Sequence, residues 1–299
     1  MGEKAKVAQV SFDALMPPQM AARAEDVGVT KVTLSPLRQV ALAMLAGAFI
    51  AMGAVFSTTI VTGAGDMPFG VQRLLAGLTF SLGLIMVVVA GSELFTGNVL
   101  IIMAYANRKM NIRQLLGNWL IVWCGNFIGA LATVFLMFLS TQYAFAQGQV
   151  GLTAMNIAQF KCNLGFGPAL VLGIYCNALV CLAVWLCFSA RSTTDKILSI
   201  IPPITAFVAC GFEHSIANMY FIPIALVIKA GAPNSFWSMI QKSAVDFPTL
   251  TWGNFLVGNL LPVTIGNILG GGLLVGLMYW FIYLRPSWTG RPFGLKVED

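Results

Sequence analysis

Four stretches of this chain, residues 40–61, 115–139, 168–188 and 255–284, contain no charged side chain. Each has at least the roughly 20 residues that a helix needs to cross about 30 Å of hydrocarbon. Two longer stretches, 74–106 and 197–228, are nearly as apolar but carry polar residues at mid-length. Lipid offers no partner to a free backbone N–H or C=O, so runs of this kind are helices and not loops or open strands. Composition agrees: 58% of the 299 residues are hydrophobic and 9% are charged, where a soluble domain carries about a quarter. The expectation is an all-α polytopic membrane protein with six transmembrane helices in a single channel domain, 1–299. Its parts are a cytoplasmic N-terminal segment (1–38), a first set of three spans (39–143), a second set (166–284) and a cytoplasmic tail (285–299).

Orientation follows from charge. With the N-terminus inside, thirteen of the seventeen Lys and Arg residues are cytoplasmic, and Arg73, Lys161, Lys229 and Lys242 fall outside. The positive-inside rule then places both termini in the cytoplasm. The net charge of +6 expresses this topology, and no nucleic-acid partner is read from it. The first apolar run begins near residue 39, so no cleaved signal peptide is expected. Residues 18–32 read as a short helix with mixed faces, either lying on the membrane surface or acting as a movable gate below a pore. Five of the six cysteines sit in apolar helical sequence as small hydrophobes, and Cys162 falls in an outer loop. No Cys/His spacing suggests a metal site, and no cofactor is expected.

An internal repeat organises the spans. Gly91-Ser-Glu-Leu-Phe-Thr-Gly-Asn98 lies in the middle of the second span and Gly211-Phe-Glu-His-Ser-Ile-Ala-Asn218 in the middle of the fifth. Both read G-x-E-x-x-x-x-N. Downstream of each, two Gly-Asn pairs stand eight residues apart, Gly117-Asn118 with Gly125-Asn126 and Gly258-Asn259 with Gly266-Asn267, and a further glycine follows at Gly129 or Gly270. Because each half holds an odd number of spans, the two halves enter the membrane in opposite directions. Small residues at these positions let helices approach closely where lipid supplies no hydrophobic drive.

Glu93, Thr96, Asn98, Glu213, His214, Ser215 and Asn218 all fall near mid-span. An ionisable side chain at that depth costs at least about 2.5–3.5 kcal/mol on insertion scales, and unwound backbone is tolerated there only against protein or a water-filled cavity. Two broken helices, the second and the fifth, are therefore expected to meet at the midplane, where half-helix N-termini favour an anion. Glu93, Asn98, Glu213 and Asn218 are read as structural, with the carboxylates accepting hydrogen bonds from the orphan N–H groups of each break. His214 is the only histidine and is read as taking part in transport. The chain does not read as an enzyme: HExxH, paired aspartates and GxSxG are absent from it.

These residues resemble the formate–nitrite transporter family, most closely its formate channels. The resemblance runs from about residue 13 to 284 and is carried by MPFG (67–70), GSELFTGNV (91–99), GFEHSIANM (211–219) and PVTIGNILGGGLLVGL (262–277). It implies an aquaporin-like fold assembled as a homopentamer, with one pore per protomer, in a bacterial inner membrane. It implies that Leu94 and Phe95 close the cytoplasmic side, with Leu84, Asn177 and Val180 near the same constriction, and that Phe80 and Phe207 form a hydrophobic ring. Thr96 and His214 correspond to a central hydrogen-bonded pair, Lys161 to a basic residue drawing anions to the outer mouth, and Asn267 to a pore-lining amide. The implied substrate is formate, with nitrite or hydrosulfide as the alternative, since AGSELFTG is also nitrite-channel wording. No Asn-Pro-Ala motif occurs, which disfavours an aquaporin-like neutral-solute channel. On this reading the apolar ring strips water from formate, loss of water raises the anion's own pKa, and His214 supplies or relays a proton.

Overall fold

The computed structural model describes residues 13–285. Lys4, Lys6, Arg291, Lys296 and the tail beyond residue 285 lie outside the described residues. Among the described residues every regular element is helical. Helix α1 is Pro17–Thr33 and α2 is Pro36–Val61. Helix α3, Phe69–Gly91, is followed after a short break by α4, Phe95–Ala106. Then come α5 (Ile112–Leu139), α6 (Gln149–Cys162) and α7 (Phe166–Ser189). Helices α8 (Thr193–Ala209) and α9 (Ser215–Gly231) flank the second break, and α10 (Asn234–Ile240) and α11 (Asn254–Leu284) complete the chain.

Helices α2, α3, α5, α7 and α11 are each long and apolar enough to cross a membrane. The fifth span, expected to be broken, consists of two 17-residue helices, α8 and α9, on either side of residues 210–214. Starts follow local chemistry. Pro36 opens α2 with its fixed φ and its missing N–H where no helical partner exists. Reciprocal capping boxes begin α5 (Asn111 and Gln114) and α8 (Ser192 and Asp195).

The outer loop expected over 144–165 contains α6, which packs against α9. Lys161 and Cys162 thus belong to its last turn, and Cys162 is buried. Helix α1 forms as expected, but it buries Met20, Ala21, Ala24 and Gly28 against protein, contacting α4, α7 and α11. Buried Glu25 fastens it, accepting from Asn107 Nδ2 at 2.7 Å and pairing with Lys109 at 3.2 Å.

The two halves pack alike. A Cβ on Gly129 would overlap the Met44 carbonyl, and one on Gly47 the Asn126 carbonyl, so α2 and α5 meet backbone to backbone. The same occurs between α7 and α11, at Gly266 against Leu170 and Gly270 against Ile174. Such contact is how helices associate in lipid. Gly117 and Gly258 meet no neighbouring helix, so the packing reason holds for only part of each repeated segment.

Candidate substrate pathway

Gly91 and Gly211 end the helices before the breaks in left-handed backbone, at φ +82° and +75°, a conformation glycine adopts without steric cost. The chain then leaves the helix for a few residues and re-enters at Phe95 or Ser215. The orphan N–H at each re-entry is taken by an asparagine nearly four turns into the third span of its half. Asn126 Oδ1 accepts from Phe95 N at 2.9 Å while its Nδ2 donates to the carbonyls of Ala43 (2.7 Å) and Glu93 (2.9 Å). Asn267 Oδ1 accepts from Ser215 N at 2.9 Å while its Nδ2 donates to Gly173 O (2.8 Å) and Glu213 O (3.0 Å). Asn267, expected to line the pore, instead spends its amide on backbone.

The two glutamates are structural in a different way from that expected. Their carboxylates take side-chain donors, not the orphan N–H groups. Glu93 pairs with Lys31 at 2.9 Å and accepts from Asn98 Nδ2 at 2.6 Å, and Asn98 also donates to Asn118 Oδ1 at 2.9 Å. Glu213 pairs with Lys161 at 2.7 Å and accepts from Asn218 Nδ2 (2.6 Å) and Asn259 Nδ2 (3.1 Å). The five-residue spacing of G-x-E-x-x-x-x-N therefore folds each asparagine back onto its glutamate. An isolated carboxylate could not be held in this setting, and each is neutralised by one lysine and hydrogen-bonded by amides. Lys161, expected as a free cation at the outer mouth, has a side chain only 12% exposed and is the counter-ion of Glu213.

The breaks differ at the residue that caps the second half-helix. His214 is the N-cap of α9, and its Nδ1 accepts from Ala217 N at 3.0 Å. A nitrogen that accepts carries no proton, so the neutral ring holds its hydrogen on Nε2. Nε2 stands 2.9 Å from Thr96 Oγ1, placing the donor of one break against the hydroxyl of the other. At the first break Leu94 occupies the capping position and offers no side-chain bond.

Two cavities approach this junction and share no lining residue. The larger, about 700 Å³, is lined by Phe80, Phe207, His214, Lys161, Glu213 and Asn218, and also by Arg73, Asp66 and Phe221. The smaller, about 290 Å³, is lined by Leu84, Leu94, Asn98 and Gly91, with Arg23, Lys31 and Lys196. Phe80 and Phe207 pack edge to face with centroids 5.7 Å apart, and Phe207 stacks on the His214 ring at 5.8 Å. Phe80 on the larger cavity and Leu84 on the smaller are one turn apart on α3, so the partition is about one helical turn thick. Thr96, Phe95, Val180 and Asn177 are fully buried and line neither cavity. Asn177 Nδ2 ties the first half-helix to α11, donating to Thr96 O at 3.2 Å and Asn267 O at 2.7 Å.

Sequence reasoning passed over Lys31, Asn118, Asn126 and Asn259 as site residues. The signal for the asparagines was present, since every Gly-Asn pair repeats its Asn as well as its Gly. Lys31 and Lys161 each stand 11 residues before the leucine, Leu42 or Leu172, whose carbonyl accepts the glutamate N–H. Reading the repeat back beyond the spans finds that match.

The family model described as Formate/nitrite transporter matches residues 18–281. The protein named Formate channel FocA of Escherichia coli (strain K12) is 50% identical over 276 residues, covering 92% of this chain and 97% of that one. The Haemophilus influenzae protein of the same name is 39% identical over 274 residues, covering 92% and 96%. A solved structure titled "Pentameric formate channel with formate bound" superposes with a TM-score of 0.80 at 50% identity, covering 84% of this chain and 98% of that chain. A second, titled "FNT family ion channel", gives 0.75 at 26% identity, covering 88% and 98%.

Proposed function

This chain belongs to the formate/nitrite transporter family, and from that premise we propose that it conducts formate across a bacterial inner membrane, as a homopentamer with a pathway through each protomer. Relatives at 50% and 39% identity are named formate channels, and the pentameric relative with formate bound has this fold. The termini are cytoplasmic, from the distribution of basic residues. The larger cavity then faces outward and the smaller one, roofed by α1, faces the cytoplasm.

The observation that carries the mechanism is the environment of His214. A neutral ring with a donor nitrogen stands at the foot of an apolar neck formed by Phe80 and Phe207. Formate entering that neck loses water, which disfavours its charged form. The Nε2–H then replaces part of the lost hydration by turning from Thr96 to a formate oxygen. Leu84, Leu94, Phe95 and Val180 close the inner side. A proton can join His214 only at Nδ1, which is already holding the Ala217 N–H. Protonation of the ring and release of the α9 cap are thus a single event, and any proton relayed by His214 goes through it.

His214→Asn tests this with little damage, because asparagine is among the best N-caps and does not titrate. In liposomes the wild type carries formate in preference to nitrite, hydrosulfide and chloride, with current and lumenal pH followed together. The variant keeps a formate current and loses the accompanying proton movement. Unaltered proton coupling in the variant would falsify the role given to His214. Absence of formate flux above empty vesicles in the wild type would remove the substrate.

A further inference from the structure

We propose that Arg73 is the residue that sets the electrostatic potential of the outer cavity, and that it does so by cancelling the negative end of α8. This inference rests on the reading of the chain as an anion pathway.

The argument begins with the broken helix. α8 ends at Ala209, just before residues 210–214, so its last carbonyls point toward the cavity an anion has to cross. The aligned peptide dipoles of a helix act as roughly half a negative charge at its C-terminus. Here Ala206, Phe207 and Val208 O accept from the N–H groups of Cys210, Phe212 and Gly211, which leaves Ala209 O without a backbone donor. Left alone, that end opposes an anion at the place where His214 would receive it. Arg73, near the start of α3, reaches across to it. Its Nε donates to Ala209 O at 3.0 Å and its Nη2 to Val208 O. The guanidinium lies beside Gly211, three residues from His214, and both Arg73 and His214 line the outer cavity.

Four full charges line that cavity: Arg73, Lys161, Glu213 and Asp66. Lys161 and Glu213 form a pair at 2.7 Å and contribute little beyond their own contact. Asp66 is exposed, so solvent and salt screen it. Arg73 is half-buried and, among the described residues, has no carboxylate partner. Two of its five N–H donors are used on the α8 carbonyls. Among the described residues it is therefore the cation of the outer cavity that is held in no contacting ion pair, being opposed by a helix end instead. Three of its N–H donors are not spent on α8.

A positioning role and an electrostatic role separate through substitution. Arg73→Lys retains the charge and loses the planar fork, whereas Arg73→Gln retains hydrogen bonding and loses the charge. Formate currents are measured in liposomes at about 10 mM and about 1 M ionic strength, where the Debye length is roughly 30 Å and 3 Å. Arg73→Gln lowers the initial rate about ten-fold at low salt and less than about two-fold at high salt, the signature of lost steering, and moves the reversal potential toward cations. Arg73→Lys recovers most of the low-salt rate. The proposal is overturned if Arg73→Gln conducts as the wild type does at low salt. It is also overturned if the Lys and Gln variants are impaired equally at both salt concentrations, since the fork alone would then matter. The wild-type control separates the two levels of argument: without formate current in it, the proposed function itself fails, whereas formate current with no effect at Arg73 removes only this inference.

Discussion

The two helix breaks are built to one plan and differ where the pathway is proposed to do its work. Each has a left-handed glycine, a glutamate neutralised by a distant lysine, an asparagine folded back on that glutamate, and a second asparagine holding the re-entry N–H. The plan reaches beyond the spans. Lys31 comes from α1 and Lys161 from α6, a short helix ahead of each half, so the repeated unit is one short helix followed by three long segments. Against this common frame, Leu94 stands where His214 stands, and Ile216 where Thr96 stands. One break thus ends in an apolar side chain lining the smaller cavity, and the other in a hydrogen-bonding cap lining the larger one. Symmetry supplies the scaffold, and the departures from it supply the polar chemistry.

The largest effect expected is at the buried ion pairs, which are alike in kind but unlike in burial. Side-chain exposure is 12% and 1% for Lys161 and Glu213, against 24% and 8% for Lys31 and Glu93. Removing one partner of a buried pair costs about 3–5 kcal/mol, because the other charge is stranded. Lys161→Ala is expected to lower the thermal midpoint of the detergent-solubilised oligomer sharply. Adding Glu213→Gln should recover much of the loss. Lys31→Ala should cost distinctly less, since water reaches Glu93 more easily. Equal losses for the two lysines would show that burial does not distinguish the two breaks.

A smaller effect tests the packing half of the comparison. Gly129→Ala and Gly270→Ala each drive a methyl group into the backbone of the neighbouring helix, an overpacking cost of about 1–3 kcal/mol. Within the same repeated segments, Gly117→Ala places its methyl group in open space, and Gly258→Ala places it in ordinary van der Waals contact with Asn254 Cβ at 3.9 Å. Thermal stability of the four variants should therefore split by position in the segment and not by half of the molecule. A split by half would mean that the two interhelical contacts are not equivalent.

Much of this frame was legible in the sequence because it is local. The E-x-x-x-x-N spacing places amide and carboxylate together across a single turn of chain, as Asn98 with Glu93 and Asn218 with Glu213 show. The eight-residue step between Gly-Asn pairs is a little over two turns, so the paired asparagines recur on nearly the same face toward the break. What could not be read locally was the origin of the counter-charges. Lys31 and Lys161 meet their glutamates across 62 and 52 residues, and neither lies in an apolar span where a charge attracts notice. A carboxylate is a strong acceptor, so sequence alone points the backbone N–H groups of the breaks at the glutamates. Asn126 and Asn267 take them instead, since an amide can hold an N–H and two carbonyls together while the carboxylate answers a lysine. Arg73 looked like one of four outer charges, and its relation to α8 exists only once α3 and α8 pack together.

The smallest expected change in stability is at Thr96, and it isolates the bond that joins the two breaks. Thr96→Val is nearly isosteric and removes only the hydroxyl facing His214 Nε2. The fold around it should persist for three reasons. The Thr96 carbonyl remains held by Asn177 Nδ2 at 3.2 Å and Cys181 Sγ at 3.3 Å. The α9 cap uses Nδ1 and is untouched. The corresponding position of the other break, Ile216, already carries a fully buried β-branched hydrocarbon. Loss of a single neutral hydrogen bond costs about 1 kcal/mol, and His214 lines the outer cavity, so water can satisfy the freed Nε2–H. The functional consequence is larger than the thermodynamic one. In the wild type the ring is oriented from both nitrogens, whereas in the variant only Nδ1 orients it and the Nε2–H points at formate less consistently. Formate conductance in liposomes should fall several-fold while the thermal midpoint of the oligomer moves little. If conductance is unchanged, the contact between Thr96 and His214 is packing, and the difference between the breaks reduces to the histidine alone.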